Sequence, residues 1–186
     1  MEIFNRETLV EAIKSGQKFD YLFFWGHREK ADGEIGPSCC SQWFAVGFTQ
    51  GNDFYRSAEH FMMAEKARLF NDEKIRHEIL KAETPNEAKS LGRKVKNFDA
   101  EVWNASCFDI VVEGNFQKFS QNPRLAHWLC ATNPKILVEA SPTDAIWGIG
   151  LHQDDPLSRN PLDWQGSNLL GFALMKVRNK LICERK

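Results

Sequence analysis

A chain of 186 residues with 42% apolar content, 14 Phe and 6 Trp holds enough apolar surface for a sizeable core and is not a disordered tail. Its formal charge of −1 excludes the basic field needed for non-specific nucleic-acid binding, while leaving room for a nucleotide-sized partner. The five cysteines include no CxxC pair and the five histidines are scattered, so neither a disulfide framework nor a metal site is expected. There is no charged-then-apolar leader and no apolar run of about 18 residues, so the expectation is one cytoplasmic domain over 1–186, without membrane segments.

The predicted elements begin with a helix from Arg6 to Lys14, capped by Asn5, with Leu9 and Ile13 on its buried side and Gly16 just past its end. Lys18 to Trp25 is dense in aromatic and apolar residues and reads as a buried strand. Gly26 to Ser41, with Gly33, Gly36 and Pro37, reads as a loop. It carries His27, Arg28 and Glu29 straight off a strand end, where sites are often assembled, although most polar loops are only solvated. Trp43 to Thr49 and Phe54-Tyr55 bracket Gln50-Gly51-Asn52-Asp53, a hairpin signal.

Ser57 can cap a helix running from Ala58 to about Phe70. On a 3.6-residue wheel Glu59, Met63, Lys66 and Phe70 share one stripe, with Glu65 and Arg68 on the opposite, wet edge. One acid and one base thus face apolar surroundings, where an ionised group is costly unless paired or working. The plain alternatives are that Glu59 offsets the helix dipole and that Lys66 snorkels to water.

A helix from Asp72 to about Ala82 follows. A third starts at the capping box Thr84-Pro85-Asn86-Glu87, with Ala88, Leu91, Val95 and Phe98 at helical spacing and Gly92 marking a close approach of another backbone. Asp99 caps a long helix through Trp103, Cys107, Val111 and Phe119, and Asn122-Pro123 restarts the chain into a helix ended by Asn133-Pro134. Ile136 to Ala140 is a short strand. Ser141-Pro142-Thr143-Asp144, then Trp147-Gly148-Ile149-Gly150 and a polar loop lead to a last helix from about Asn168. The fold class is mainly α, or α+β with a few short strands.

Three groups could carry chemistry. Glu59 with Lys66 is the first. The second is Asp144 near Trp147, where Gly148 and Gly150 remove bulk so that backbone N–H groups could meet a phosphate, although glycine in a turn needs no ligand. The third is Trp103, a core residue or a stacking face for a base, with Asn115 and Lys118 on the same helix. Arg28, Lys66 and Lys118 are candidate contacts for anionic groups. No nucleophile elbow, Walker loop or dinucleotide fingerprint occurs. Such a set suits cleavage of a glycosidic bond, whose oxocarbenium-like transition state wants a nearby carboxylate, and equally suits plain nucleotide binding.

The ordered set Phe24-Trp25-Gly26, Ser41-Gln42-Trp43, Ser57-Ala58-Glu59-His60-Phe61 to Glu65-Lys66-Ala67, Leu91-Gly92-Arg93, Trp103 and Lys118-Phe119 resembles the NADAR, or YbiA-like, superfamily. The likeness continues through Leu137-Val138-Glu139-Ala140, Asp144, Trp147 to Leu151, and Asn168-Leu169-Leu170-Gly171 to Arg178. It covers about 23–181, leaving 1–16 as an N-terminal helical extension. Cys40 stands where many members carry Phe, a packing change.

The resemblance implies a compact, mainly helical fold and N-glycosidase activity without a metal or cofactor. The substrate would be ADP-ribose on modified guanine or the phosphorylated ribosylamino-pyrimidines of riboflavin synthesis. A non-catalytic ADP-ribose or NAD module is the alternative. Catalytic roles would fall to Glu59, Asp144 and Lys66, and substrate contacts to Arg28, Trp103, Lys118, Trp147, Gly148 and Gly150. The partner would be the phosphorylated ribosyl or ADP-ribosyl substrate, alone or on a modified guanine in nucleic acid, with no extended nucleic-acid surface. This reading requires Glu59, Lys66 and Asp144 to converge on a cavity rimmed by indoles.

Overall fold

The computed structural model describes residues 3–184. In chain order its elements are α1 (Arg6–Lys14), β1 (Tyr21–Phe24), a 3-10 turn (Pro37–Cys40), β2 (Phe48–Gln50), β3 (Asp53–Tyr55), α2 (Ala58–Leu69), α3 (Glu73–Lys81), α4 (Pro85–Gly92) and α5 (Ala100–Ser120). They continue with α6 (Pro123–Ala131), β4 (Ile136–Glu139), a second 3-10 turn (Pro156–Arg159) and α7 (Leu169–Glu184). Seven α-helices and four short strands among the described residues make the protein mainly α, as the residue pattern predicts. No helix among them is long and apolar enough to cross a membrane.

By their internal contacts the residues form two compact units, one reaching to Ser41 and resuming at Arg124, the other spanning Gln42–Pro123. In the discontinuous unit β1 and β4 pair in parallel, with Tyr21 opposite Ile136 and Phe24 opposite Glu139. Ile136, Leu137 and Val138 are all buried, so β4 is apolar on both faces, as parallel strands are. Its other edge is closed by Asn168, whose Oδ1 accepts the Glu139 N–H at 2.9 Å while Nδ2 donates to the Leu137 carbonyl at 2.9 Å. Asn168 itself sits in the left-handed region at φ 55°. A Cβ on Gly171 would collide with the Leu137 carbonyl, so α7 lies directly on the strand backbone. The Lys18–Trp25 segment is strand only over Tyr21–Phe24, where Phe24 is buried and Tyr21, Leu22 and Phe23 are half-buried.

The Gln42–Pro123 unit is built round α2, which packs against α3, α4 and α5. β2 and β3 form the expected hairpin, with Phe48 opposite Tyr55 across Gly51-Asn52, and Gly51 takes φ 60°. The rings of Phe48, Tyr55 and Phe61 then stack behind it, Tyr55 and Phe61 edge to face at 5.0 Å. Residues 43–47 are not strand. α4 ends at Gly92, short of Val95 and Phe98. The close approach there is a side chain and not a backbone, since a Cβ on Gly92 would collide with the Met63 sulfur. Asp72 then holds the turn that follows by accepting the Lys96 N–H at 3.0 Å.

Candidate active site

In the Gln42–Pro123 unit, Ser57 caps α2 and places Glu59 in its first turn, where the Glu59 N–H donates to the Gln42 carbonyl at 3.0 Å. The Glu59 side chain is 5% exposed, as the stripe predicts. Two turns on, half-buried Lys66 sets its Nζ 4.2 Å from the centre of the Phe98 ring and 5.5 Å from that of Trp103. No acidic side chain among the described residues forms an ion pair with it. Burial, and after it the charge of Arg93, pulls the Lys66 pKa below that of an ordinary lysine.

Glu65 departs from the wet edge expected of it. It is largely covered and burial raises its pKa, while Arg68 holds it at 2.9 Å. Arg68 reaches on to Asp53 at 3.3 Å, and Arg76 meets Asp53 at 2.7 Å. The ionic network of this helix therefore runs along the Glu65 side, and Lys66 is left out of it.

Trp103 is half-buried in the first turn of α5, so it is not fully a core residue and keeps part of its ring uncovered. Lys118 is corrected more strongly. It is fully buried, with Nζ 5.7 Å from the Phe44 ring centre and 5.2 Å from that of Phe119, and presents no surface to a ligand in this conformation. The reason is helical spacing: Val111, Asn115 and Lys118 recur on the inner face of α5. Asn115, also fully buried, donates through Nδ2 to Gln42 Oε1 at 2.7 Å and to the Val111 carbonyl at 2.8 Å, leaving its Oδ1 without a partner.

The other unit holds Arg28, Asp144, Trp147, Gly148 and Gly150. Asp144 Oδ1 accepts the N–H groups of Ile146 at 2.9 Å and Trp147 at 2.8 Å, a turn-closing pattern. The Gly150 N–H donates to the Asp144 carbonyl at 3.1 Å and is thereby withdrawn from any phosphate. A Cβ on Gly148 would stand 2.9 Å from the carbonyls of both Asp144 and Glu139, so the backbone it admits is the chain's own. The two glycines fold this segment onto the end of β4. Trp147 is half-buried, and Arg28 is exposed on the loop after β1. There Trp25, 54% exposed, meets the His152 ring edge-on at 5.5 Å. Residue reasoning assigns no role to Gln42, Arg93 or Phe98. Only the Ser41-Gln42-Trp43 and Leu91-Gly92-Arg93 motifs flag the first two.

The NADAR domain family matches residues 23–182. This chain belongs to that family. The NADAR chain is 44% identical over 165 residues to N-glycosidase R617 of Acanthamoeba polyphaga mimivirus, covering 86% of this chain and 95% of that protein. N-glycosidase YbiA of Escherichia coli is 33% identical over 129 residues, covering 69% and 72% respectively. The NMR structure of E. coli YbiA superposes with a TM-score of 0.72 at 25% identity, over 91% of this NADAR chain and 89% of that one. The riboflavin biosynthesis protein VVA0006 of Vibrio vulnificus is 33% identical over 145 residues, which is 76% of this chain but only 35% of that protein.

Proposed function

We propose that this NADAR chain is a hydrolase of N-glycosyl bonds that cleaves the C1′–N bond of a phosphorylated ribose. The observation that carries the reading is Lys66, a half-buried amine outside every ion pair of the described residues, lying against two aromatic rings on the helix that buries Glu59. Burial keeps that amine less basic than usual and so nearer the neutral, nucleophilic form. The substrate is ADP-ribose on modified guanine or a ribosylamino-pyrimidine phosphate, and the naming of relatives supports the bond class without choosing between them.

In the reaction, water adds its oxygen to C1′, the C1′–N bond breaks, and the base departs with a proton. Glu59 takes the proton of the attacking water and stabilises positive charge developing at C1′. In the covalent variant the neutral Lys66 amine adds to C1′ as the C1′–N bond breaks, and the base leaves with the proton that the amine gives up. The sugar opens to an imine on Lys66, and water hydrolyses that imine to the free sugar and the amine. Trp103 supplies a stacking face. The family resemblance adds Asp144, Trp147 and Arg28, whose contribution is tested by substitution alone. Asp144 already uses Oδ1 to close its turn, so Asp144→Asn preserves that bond and removes only the charge.

The test is chromatography of wild type incubated with ADP-ribosylated guanosine and with the aminopyrimidine ribotide. Release of free base from one of them is expected, with Glu59→Gln and Asp144→Asn folded but at least about 100-fold slower. Wild-type turnover in both variants removes the mechanism. Tight binding without release would instead make the protein a recognition module.

A further inference from the structure

Besides the two rings, one more cation lies near Lys66. Arg93 caps the C-terminal end of α4 directly after Gly92, whose backbone lies against the Met63 side chain one turn before Lys66 on α2. The Arg93 side chain is exposed, and its charge adds to the lowering of the Lys66 pKa. No carboxylate among the described residues pairs with either cation. Two uncompensated positive charges repel, and a fold carrying 25 acidic residues has the means to separate them with a carboxylate, as it does at Asp53 between Arg68 and Arg76. One turn before Arg93 on the same helix, Lys89 sets its Nζ 5.7 Å from the ring centre of Trp43. The helix dipole favours cations at this end of α4, but does nothing for the pairing of Arg93 with a lysine on another helix.

The aromatic side of the cluster is open. Phe98 is 47% exposed although it packs edge-on against Phe70 at 5.3 Å. A half-exposed ring lying beside cations that lack a counter-charge matches a ligand with a flat part and an anionic part.

We infer that Arg93 is the phosphate anchor of the substrate and Phe98 a stacking wall for its planar group, with Lys66 lying against that ring. The ligand class is a phosphate mono- or diester of ribose carrying a heterocycle. Arg93 donates the fork of N–H bonds that phosphate oxygens accept, a geometry a lysine does not reproduce. This inference rests on the glycosidase reading only for the identity of the sugar phosphate.

Calorimetric titration of wild type, Arg93→Gln, Arg93→Lys, Phe98→Leu and Lys94→Gln with ADP-ribose, ribose 5-phosphate and adenosine tests it. Arg93→Gln should weaken ADP-ribose and ribose 5-phosphate by about 10–100-fold and leave adenosine unchanged. Arg93→Lys should recover only part of the loss. Phe98→Leu should weaken ADP-ribose and adenosine several-fold and spare ribose 5-phosphate. Lys94→Gln, an exposed charge beside Arg93, should stay within about twofold. Raising salt from about 50 to about 300 mM should weaken wild-type binding of both phosphate probes but not of adenosine, a readout independent of how the variants fold.

The inference is overturned if Arg93→Gln loses no more than Lys94→Gln, if it loses adenosine equally, or if wild type binds neither phosphate probe. Arg93-dependent binding by a wild type that releases no base would refute the glycosidase reading and leave the anchor standing.

Discussion

Lys66 shows how one residue can be poised without an acid beside it. Its amine leans on Phe98 and Trp103, and burial lowers its pKa. With the folded pKa below the unfolded one, the charged amine burdens the fold at every pH where folded Lys66 is protonated. That burden lifts as pH rises from the folded pKa to the ordinary lysine value of about 10.4. Lys66→Met should therefore cut base release by at least about 100-fold, yet melt no lower than wild type near neutral pH. A melting point well below wild type would make Lys66 a structural residue.

His60, its buried neighbour on α2, has the plainer role of a satisfied core histidine. Its Nε2–H donates to the Ala82 carbonyl at 3.2 Å, so Nδ1 is left to accept from the Ser57 hydroxyl at 2.8 Å. Burial lowers its pKa. The stability that comes from keeping it neutral is complete above about pH 6.5 and is lost as pH falls from there through the folded pKa, at up to ~1.4 kcal/mol per pH unit. His60→Gln should flatten the denaturation midpoint between about pH 7 and pH 5. An unchanged pH slope would place the acid sensitivity elsewhere.

At the scale of elements, capping chemistry proved the most readable signal. Asn5, Ser57, Thr84 and Asp99 all cap the helices that their side chains predict, and Asp72, read as the start of a helix, proves to be the cap of α3. The box at α4 closes with a difference: Glu87 accepts the N–H of Glu83, one residue before the cap, at 2.9 Å. Thr84→Ala should still cost about 1 kcal/mol of stability in denaturant.

Periodicity misled where a tertiary contact intervened. Val95 and Phe98 continue the α4 spacing, but the Met63 side chain fills the space beside Gly92 and the chain turns away, freeing Phe98 to meet Lys66. A second close approach sits on α5, where a Cβ on Gly114 would stand 2.5 Å from Phe61 Cδ1. Alanine gains roughly 1 kcal/mol in helix propensity over glycine. Overpacking against a buried ring costs about 1–3 kcal/mol and should win, so Gly114→Ala is expected to lower the denaturation midpoint. A midpoint at or above wild type would mean that the ring yields.

Over the whole molecule, the family match runs through both compact units, from residue 23 to 182. Several of its motif residues turn out to serve the fold. Asn168 satisfies two outward backbone groups of β4, and Gly148 and Gly171 let neighbouring backbone reach that strand. Asn168→Ala would strand a buried N–H and a buried carbonyl, and should cost about 2–4 kcal/mol with an unchanged denaturant slope. A loss under ~1 kcal/mol would show that water replaces the amide.

Helix starts, the hairpin and the buried stripe of α2 were determined by the sequence alone, because caps, turns and 3.6-residue spacing are local physics. So was the nomination of Glu59 and Lys66, since an acid and a base on an apolar face stand out wherever the chain goes next. Only the tertiary structure decided that Glu65 joins an ionic network while Lys66 does not, that Lys118 is enclosed, and that Asp144 closes a turn. It alone also put Phe98 at the Lys66 amine and the α4 end that carries Arg93 against α2 one turn away. Each of these depends on a neighbour remote along the chain, and burial and counter-charge are properties of the neighbour as much as of the residue.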